Sequence, residues 1–427
     1  MKLHIATVGT GRNREDIAKA IAFSISNIQP DKALLFTSHK TLDETFPFVQ
    51  CELGQELEKR CESVCFDNED DVQFLFTNYI ERIQSELKKY EEKPVLYVDF
   101  TSGTKAMTAA LFAAGIALDA DEVCYVTGKR DEGGRVIESE TVNRIEPKHI
   151  IAERTVSEAL QLFNNGNYQV AANMVMHIKK LFDKNEHLGN LAHTIFALGQ
   201  SYAAWDKFEW KQAAKLLKDN RKVFEKETGI VNADFLAEQA EFCEKLAKEN
   251  YVIERVVDLY ANAQRRFKLG RFDDAMSRLY RGLEYLVQIQ LHNKFQLDTD
   301  NPQWRKYESK LCEATKANYE QRERQKRLQL GLRDAMELLA ELNDPLGLEL
   351  VKSYWHEWSP GMEFIKNNSG KLQDYLNQRN NSYLAHGTKP VEKRIVENLL
   401  KLFDEFLRHQ LSEQFDDLLK TAAFVSL

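Results

Sequence analysis

The strongest constraint on how this chain folds is a change of period near residue 150. Before it, apolar runs alternate with amphipathic stretches. "KLHIATV", "KALLFTS", "PVLYVDFT" and "EVCYVTG" read as apolar strands, and "ESVCFD" as a weaker one. "REDIAKAIAFSISNI", "DVQFLFTNYIERIQSELKKYEE" and the small-residue-rich "GTKAMTAALFAAGIALDA" read as helices between them. Such alternation predicts an α/β domain with a mostly parallel sheet and helices on both faces. "GRVIESETVN" returns after a Gly-Gly turn, which predicts a hairpin appended at the sheet edge. After residue 150 strand signals nearly vanish and a period of about 3.6 residues dominates, so the rest reads as all-α.

Three helical-hairpin turns stand out in the second part. One has Phe163, Gly166, Tyr168 and Ala171; another has Phe267, Gly270, Phe272 and Ala275 at the same spacing. The third, "WDKFEWKQAAKLL", lacks the glycine. They resemble tetratricopeptide-type hairpins but are not in tandem, so no repeat array is expected. We divide the chain into residues 1–148, a helical region 149–250 and a C-terminal region 251–427. Trp304, Trp355 and Trp358 read as core or interface anchors rather than base-stacking platforms.

A chain of 427 residues is too long for one ordinary core. It is 43% hydrophobic and 29% charged, as in a soluble globular protein. No apolar run reaches the roughly 18 residues of a membrane span, so no membrane association is expected. The start "MKLHIATVGT" reads as a first strand rather than a leader. Six scattered cysteines fit a reduced, cytoplasmic protein without a zinc site. A net charge of −8 argues against a broad nucleic-acid-coating surface and stable DNA binding, but permits a small enclosed basic site.

In an open α/β sheet, ligands bind beyond the carboxyl ends of the strands. Two loops there carry chemistry: "TVGTGRNRED" and "VDFTSGTKAM". The first fails as a dinucleotide fingerprint, because Arg14 stands where the third glycine belongs. The second strand ends in Thr37, Ser38 and His39 rather than a ribose-binding acid. "TSGTK" fails as a P-loop, lacking the first glycine and a hydroxyl residue after Lys105. What remains is Thr10, Gly11, Arg12 and Asn13 in one loop, and Thr101, Ser102, Gly103, Thr104 and Lys105 in the other. Thr37 and Ser38 end the neighbouring strand. Hydroxyls, an amide and cations beside two helix N-termini suit a phosphate- and ribose-bearing ligand. Ordinary capping would use the same residues.

Near the C-terminus stands "NQRNNSYLAHGT". Arg379 and His386 are seven residues apart, which on a helix over 372–386 puts them on one face. Asn380 flanks the arginine, Gly387 suits a position after the helix end, and Pro390 stops it. His386 would sit at the negative end of the helix. An arginine can hold a phosphate and stabilise developing charge, and an imidazole can move protons. This pair suits RNA cleavage without a metal, with the RNA 2′-hydroxyl as nucleophile. Two copies across a dimer axis would double the set.

The first strand and its loop, "VDFTSGTKAM", and "RNNSYLAHG" together resemble a family. The N-terminal part is similar to a CARF domain, which has a Rossmann-like fold. "RNNSYLAHG" resembles the HEPN ribonuclease motif, and "AMSRLYRGLEYLVQIQL" is similar to the first helix of such domains. The order resembles the CARF–HEPN ancillary ribonucleases of type III CRISPR systems. The resemblance implies a homodimer whose CARF pair binds a cyclic oligoadenylate. We expect tetra-adenylate over hexa-adenylate as the activator, and no cofactor or metal. Binding would activate cutting of single-stranded RNA to 2′,3′-cyclic phosphate and 5′-hydroxyl ends. Arg379, Asn380 and His386 match the HEPN motif; Thr10, Gly11, Ser102, Gly103, Thr104 and Lys105 match the CARF loops. Some CARF domains also cut their own activator slowly, which stays open here. The alternative is a non-catalytic nucleotide sensor with a partner-recruiting helical part. A deoxyribonuclease would need a carboxylate-rich metal site, and a transcription factor a basic recognition helix; neither pattern stands out.

Overall fold

The computed structural model describes the chain apart from residues 11–12, 131–135, 183–186, 227–228, 363–367 and 386, and apart from the side chains of 128–130 and 136–140. Its contacts group into two compact units, Met1–Thr155 and Val156–Leu427.

The first unit is a six-stranded sheet of order β3-β2-β1-β4-β5-β6. In chain order it runs β1 (Lys2–Thr7), α1 (Arg14–Ile28), β2 (Lys32–Thr37), α2 (His39–Glu44), α3 (Phe46–Glu58), β3 (Cys61–Cys65), α4 (Val72–Leu87), β4 (Val95–Asp99), α5 (Lys105–Ala117), β5 (Glu122–Arg130) and β6 (Val136–Ile145). Strands β1 to β5 pair in parallel, and β6 returns antiparallel against β5, with Val123 opposite Ile145. The expected edge hairpin is therefore present; its Gly-Gly turn lies outside the described residues. The helices α2 and α3 are an addition to the sequence reading.

Alternation along the strands explains the two layers. Leu3 and Ile5 of β1, Leu34 and Phe36 of β2 and Leu96 and Val98 of β4 pack with Tyr79 and Ile83 of α4 and Met107, Ala110 and Leu111 of α5. Ala6, Val8 and Leu35 pack on the other face with Ile21 and Ile25 of α1 and Val49 and Leu53 of α3. The chain winds from β1 toward β3, then restarts at β4 on the other side of β1. The carboxyl ends of β1 and β4 are thus the topological switch point, where open α/β sheets hold ligands.

The second unit is helical: α6 (Pro147–Asn164), within which the divide falls, then α7 (Tyr168–Met174), α8 (Ile178–Leu181), α9 (His187–Trp205), α10 (Trp210–Asp219), α11 (Arg221–Phe224) and α12 (Ala233–Lys248). It continues with α13 (Ile253–Lys268), α14 (Phe272–Phe295), a 3₁₀ turn (Trp304–Lys310), α15 (Glu313–Arg324), α16 (Leu332–Glu341), α17 (Pro345–Tyr354), α18 (Lys371–Asn380), α19 (Lys393–Leu411) and α20 (Gln414–Ala422). Trp304 and Trp355 are buried. Among the described residues, no helix is long and apolar enough to cross a membrane.

The three hairpin turns share one geometry. Gly166 and Gly270 have left-handed φ of 78° and 71°, and Phe208 takes the same place with φ 64°. In each turn the next N–H reaches back five residues: Asn167 to Leu162 O at 2.9 Å, Glu209 to Ala204 O at 3.0 Å, Arg271 to Arg266 O at 2.9 Å. This is a Schellman-type helix end, which satisfies a terminal carbonyl. Ala171, Ala213 and Ala275, eight residues after Phe163, Trp205 and Phe267, are each fully buried. The glycine "lost" from the third turn is therefore replaced by a strained phenylalanine rather than by a different turn.

A Cβ at Gly270 would meet open space, so only the backbone conformation opposes one. Gly270→Ala should cost about 1–2 kcal/mol of stability, the left-handed cost of an L-residue. Urea unfolding measures it, and an unchanged midpoint would contradict the turn geometry.

Candidate functional site

The first candidate site lies where the loop after β1 meets the loop after β4. A Cβ on Gly9 would lie 2.6 Å from Gly103 N and 2.8 Å from Gly103 Cα, so the two backbones touch there. Gly103 itself has φ 131°, and a Cβ on it would sit 3.1 Å from Met107 Cβ. Ser102 Oγ, 3% exposed, accepts from Gly9 N–H at 2.8 Å, and Thr7 Oγ1 donates to Ser102 O. Gly9 is thus the contact residue that the sequence reading noted only within a failed fingerprint.

The other predicted residues divide between internal and free roles. Thr101 Oγ1 donates to Asp99 Oδ1 and accepts from Val126 N–H at 2.7 Å. Thr104 caps α5, accepting from Met107 N–H at 3.1 Å and donating to Glu69 O at 2.6 Å. That leaves the N–H groups of Lys105 and Ala106 without backbone partners at the positive end of α5. Asn13 caps α1 by accepting from Glu15 N–H at 3.2 Å. Ser38 caps α2 in a capping box with Thr41, and Thr37 is fully buried with its hydroxyl 3.4 Å from Val64 O. The side chains of half-buried Thr10 and exposed Lys105 have no polar partner among the described residues. Gly11 and Arg12 lie outside the described residues. Beneath the crevice, His4 and Asp99 are buried 3.9 Å apart. Burial pushes the His4 imidazole below its ordinary value, against the pull of Asp99.

The second candidate site is on α18 and the loop after it. The helix ends at Asn380 rather than continuing to residue 386, so the shared-face argument for Arg379 and His386 fails. Asn381 and Ser382 break the helix because their side chains favour turns. The chain then closes a tight loop: Gly387 N–H reaches Ser382 O at 3.0 Å, and Lys389 N–H reaches Asn381 O at 3.3 Å. His386 lies outside the described residues. Gly387 is not a helix cap; it is where the loop passes over the helix end. A Cβ there would lie 1.8 Å from Asn381 O, a backbone overlap no rotamer relieves.

Arg379 sits in the last turn of α18, where a cation suits the helix dipole. Its guanidinium carbon is 4.3 Å from the Tyr280 ring centroid on α14, a cation–π contact. Its Nη1 donates to Asn380 Oδ1 at 3.3 Å, and its Nε is buried without a partner among the described residues. Burial and Glu284 push the Tyr280 phenol up, while Arg379 opposes them. Tyr280 was missed in sequence; its signal is its place on the helix that resembles the first HEPN helix. In the loop, Tyr383 and Leu384 are 67% and 55% exposed, unusual for large apolar side chains. Among the described residues, no cluster of three or more His, Cys, Asp or Glu side chains could hold a metal ion.

An open α/β sheet with a ligand crevice, followed by helices that present an arginine beside a closed loop, defines a class. Residues 244–410 match the family model described as the Csm6 HEPN domain. Across its length the chain is similar in structure to Enterococcus italicus Csm6 bound to cyclic hexa-2′-fluoro-hexa-dAMP. The TM-score is 0.62 at 15% identity, covering 99% of this chain and 98% of that one. A search of the curated proteins finds no match. Residues 244–410 thus carry a Csm6-type HEPN domain, and the chain as a whole shares the fold of that solved structure.

Gly387→Ala should displace the loop of residues 381–389 by an ångström or more. If the HEPN domain is a ribonuclease, RNA cutting should then fall about a hundredfold, as misplaced catalytic groups do. Circular dichroism and activator binding should stay unchanged. Full activity in this variant would contradict the closed-loop geometry.

Proposed function

We propose that the protein is an endoribonuclease of type III CRISPR defence, switched on by a cyclic oligoadenylate and independent of metal. The observation that carries this reading is the Csm6 HEPN family match, whose residues 244–410 span Arg379, Asn380 and His386. The ring would bind a pair of sheet crevices, contacting Thr10, Lys105 and the free N–H groups at the start of α5, with Gly11 and Arg12 alongside. Ser102, Gly103, Thr101, Thr104, Asn13, Thr37 and Ser38 would shape those crevices, since their polar atoms are largely engaged within the chain. Residues 1–148 would be the sensing domain, 149–250 the coupling helices and 251–427 the ribonuclease domain.

In the active homodimer, Arg379, Asn380 and His386 of two subunits would form one composite site. The RNA 2′-oxygen attacks the adjacent phosphorus as its proton passes to a base. The 5′-oxygen leaves and gains a proton, giving 2′,3′-cyclic phosphate and 5′-hydroxyl ends. His386 would move the protons, and Arg379 would stabilise the charge on the phosphoryl oxygens. The ring can activate only by favouring the cleavage-competent dimer over the resting one. Ring size is not readable from the sequence, and tetra-adenylate is only the starting expectation; the hexameric analogue on Enterococcus italicus Csm6 supports hexa-adenylate. Such a protein would act in the cytoplasm.

Labelled single-stranded RNA, incubated with each ring in EDTA, tests the reading. Wild type should cut with one ring and remain silent without it. His386→Ala should lose at least about a hundredfold in rate, the usual scale for a proton-transfer group, while still binding the ring. Ring binding without any RNA cutting by wild type would favour the non-catalytic sensor instead.

A further inference from the structure

A second polar cavity, of about 290 Å³, lies in the helical unit where the three hairpin turns converge. Its lining includes Asn165 and Tyr168 from the first turn, Asp206 from the second, and Arg265, Arg266 and Lys268 from the third. Residues 423–426 close one side. Three cations thus face one carboxylate.

The two arginines share that carboxylate, one on each oxygen. Arg266 Nη2 donates to Asp206 Oδ2, and Arg265 Nε donates to Asp206 Oδ1 at 3.3 Å. Arg265 Nη1 donates to Ala422 O at 3.2 Å, and its guanidinium carbon lies 3.8 Å from the Phe424 ring centroid. Two donors remain: Arg266 Nε and Arg265 Nη2 are buried with no partner among the described residues. The Arg266 side chain is only 10% exposed. A buried guanidinium N–H left unpaired is costly, and more so than a neutral one. The next carboxylate, Asp258, is held by Trp205 Nε1 at 2.8 Å and Trp210 Nε1 at 2.9 Å. The local excess of positive charge is felt by a neighbour: burial and then Arg266 push the Arg278 guanidinium down.

We infer that this cavity is a binding site for a small phosphate-class anion. Such an anion has several acceptor oxygens in the geometry that guanidinium groups match. The volume is at the lower end of small-ligand sites, which suits a phosphate or phosphate monoester. Lys268, exposed at the rim, adds attraction at the mouth. The site belongs to neither the sheet crevice nor the α18 loop.

The test is a calorimetric titration of the full chain with inorganic phosphate and, separately, with adenosine 5′-monophosphate, both at constant ionic strength. Saturable binding is expected for at least one of them; the stronger identifies free phosphate or a monoester as the ligand. Arg266→Gln should weaken binding roughly tenfold to a hundredfold, the scale of a lost charge-assisted hydrogen bond. Should that variant misfold by circular dichroism, Lys268→Glu decides, because its side chain is at the surface; it should weaken binding severalfold. No saturable binding of either anion, or binding unchanged by Lys268→Glu, would overturn the assignment.

Discussion

Backbone contact between Gly9 and Gly103 is the constraint on which the first unit depends. A side chain on Gly9 would occupy the backbone of Gly103, so the loops after β1 and β4 meet only because neither carries one there. That meeting occurs at the switch point of the sheet, where strand order reverses. It brings Thr10, Lys105 and the start of α5 to one edge. The helical unit uses the same device. Gly387 lets the loop of residues 381–389 cross the end of α18, where the helix has already ended at Asn380.

The fold was legible where period alone decides it. Apolar strands and intervening helices predicted the parallel sheet, and the Gly-Gly return predicted the antiparallel edge. The end of α18 was misread because a spacing of seven is meaningful only on a continuous helix. The Asn380-Asn381-Ser382 cluster held the contrary signal, since such residues favour turns over helix interiors. Among the site residues, type was legible but employment was not. Thr101, Thr104 and Ser38 offer hydroxyls in sequence, yet spend them on Asp99, Val126, Glu69, Met107 and Thr41. Thr41 and Met107 are ordinary capping partners, but Val126 and Glu69 come from another strand and another loop, which no local pattern identifies. Tyr280 is about a hundred residues from Arg379 in sequence and meets it only through the packing of α14 on α18.

The helical unit holds its middle and its C-terminal end together. Phe424 stacks on Tyr202 with centroids 4.1 Å apart, and Gln239 Nε2 donates to Ala423 O at 2.7 Å. Asn164 and Leu427 exchange two hydrogen bonds, at 2.8 and 2.9 Å. A boundary near residue 250 is therefore invisible to contacts, although the family match starts at residue 244. Sequence shows domains by changes of pattern, and both sides of residue 250 share the helical period. Helices packed in this way can pass a change of arrangement from one end of the unit to the other.

The central claim is that one nucleotide ring, shared by two chains, switches on RNA cutting. The most direct measurement is the initial rate of RNA cutting as the activating ring is titrated into protein held well above its binding constant. The account predicts no cutting at zero ring and a sharp plateau at one ring for every two chains. A plateau at one ring per chain, or cutting of equal rate without any ring, would contradict it.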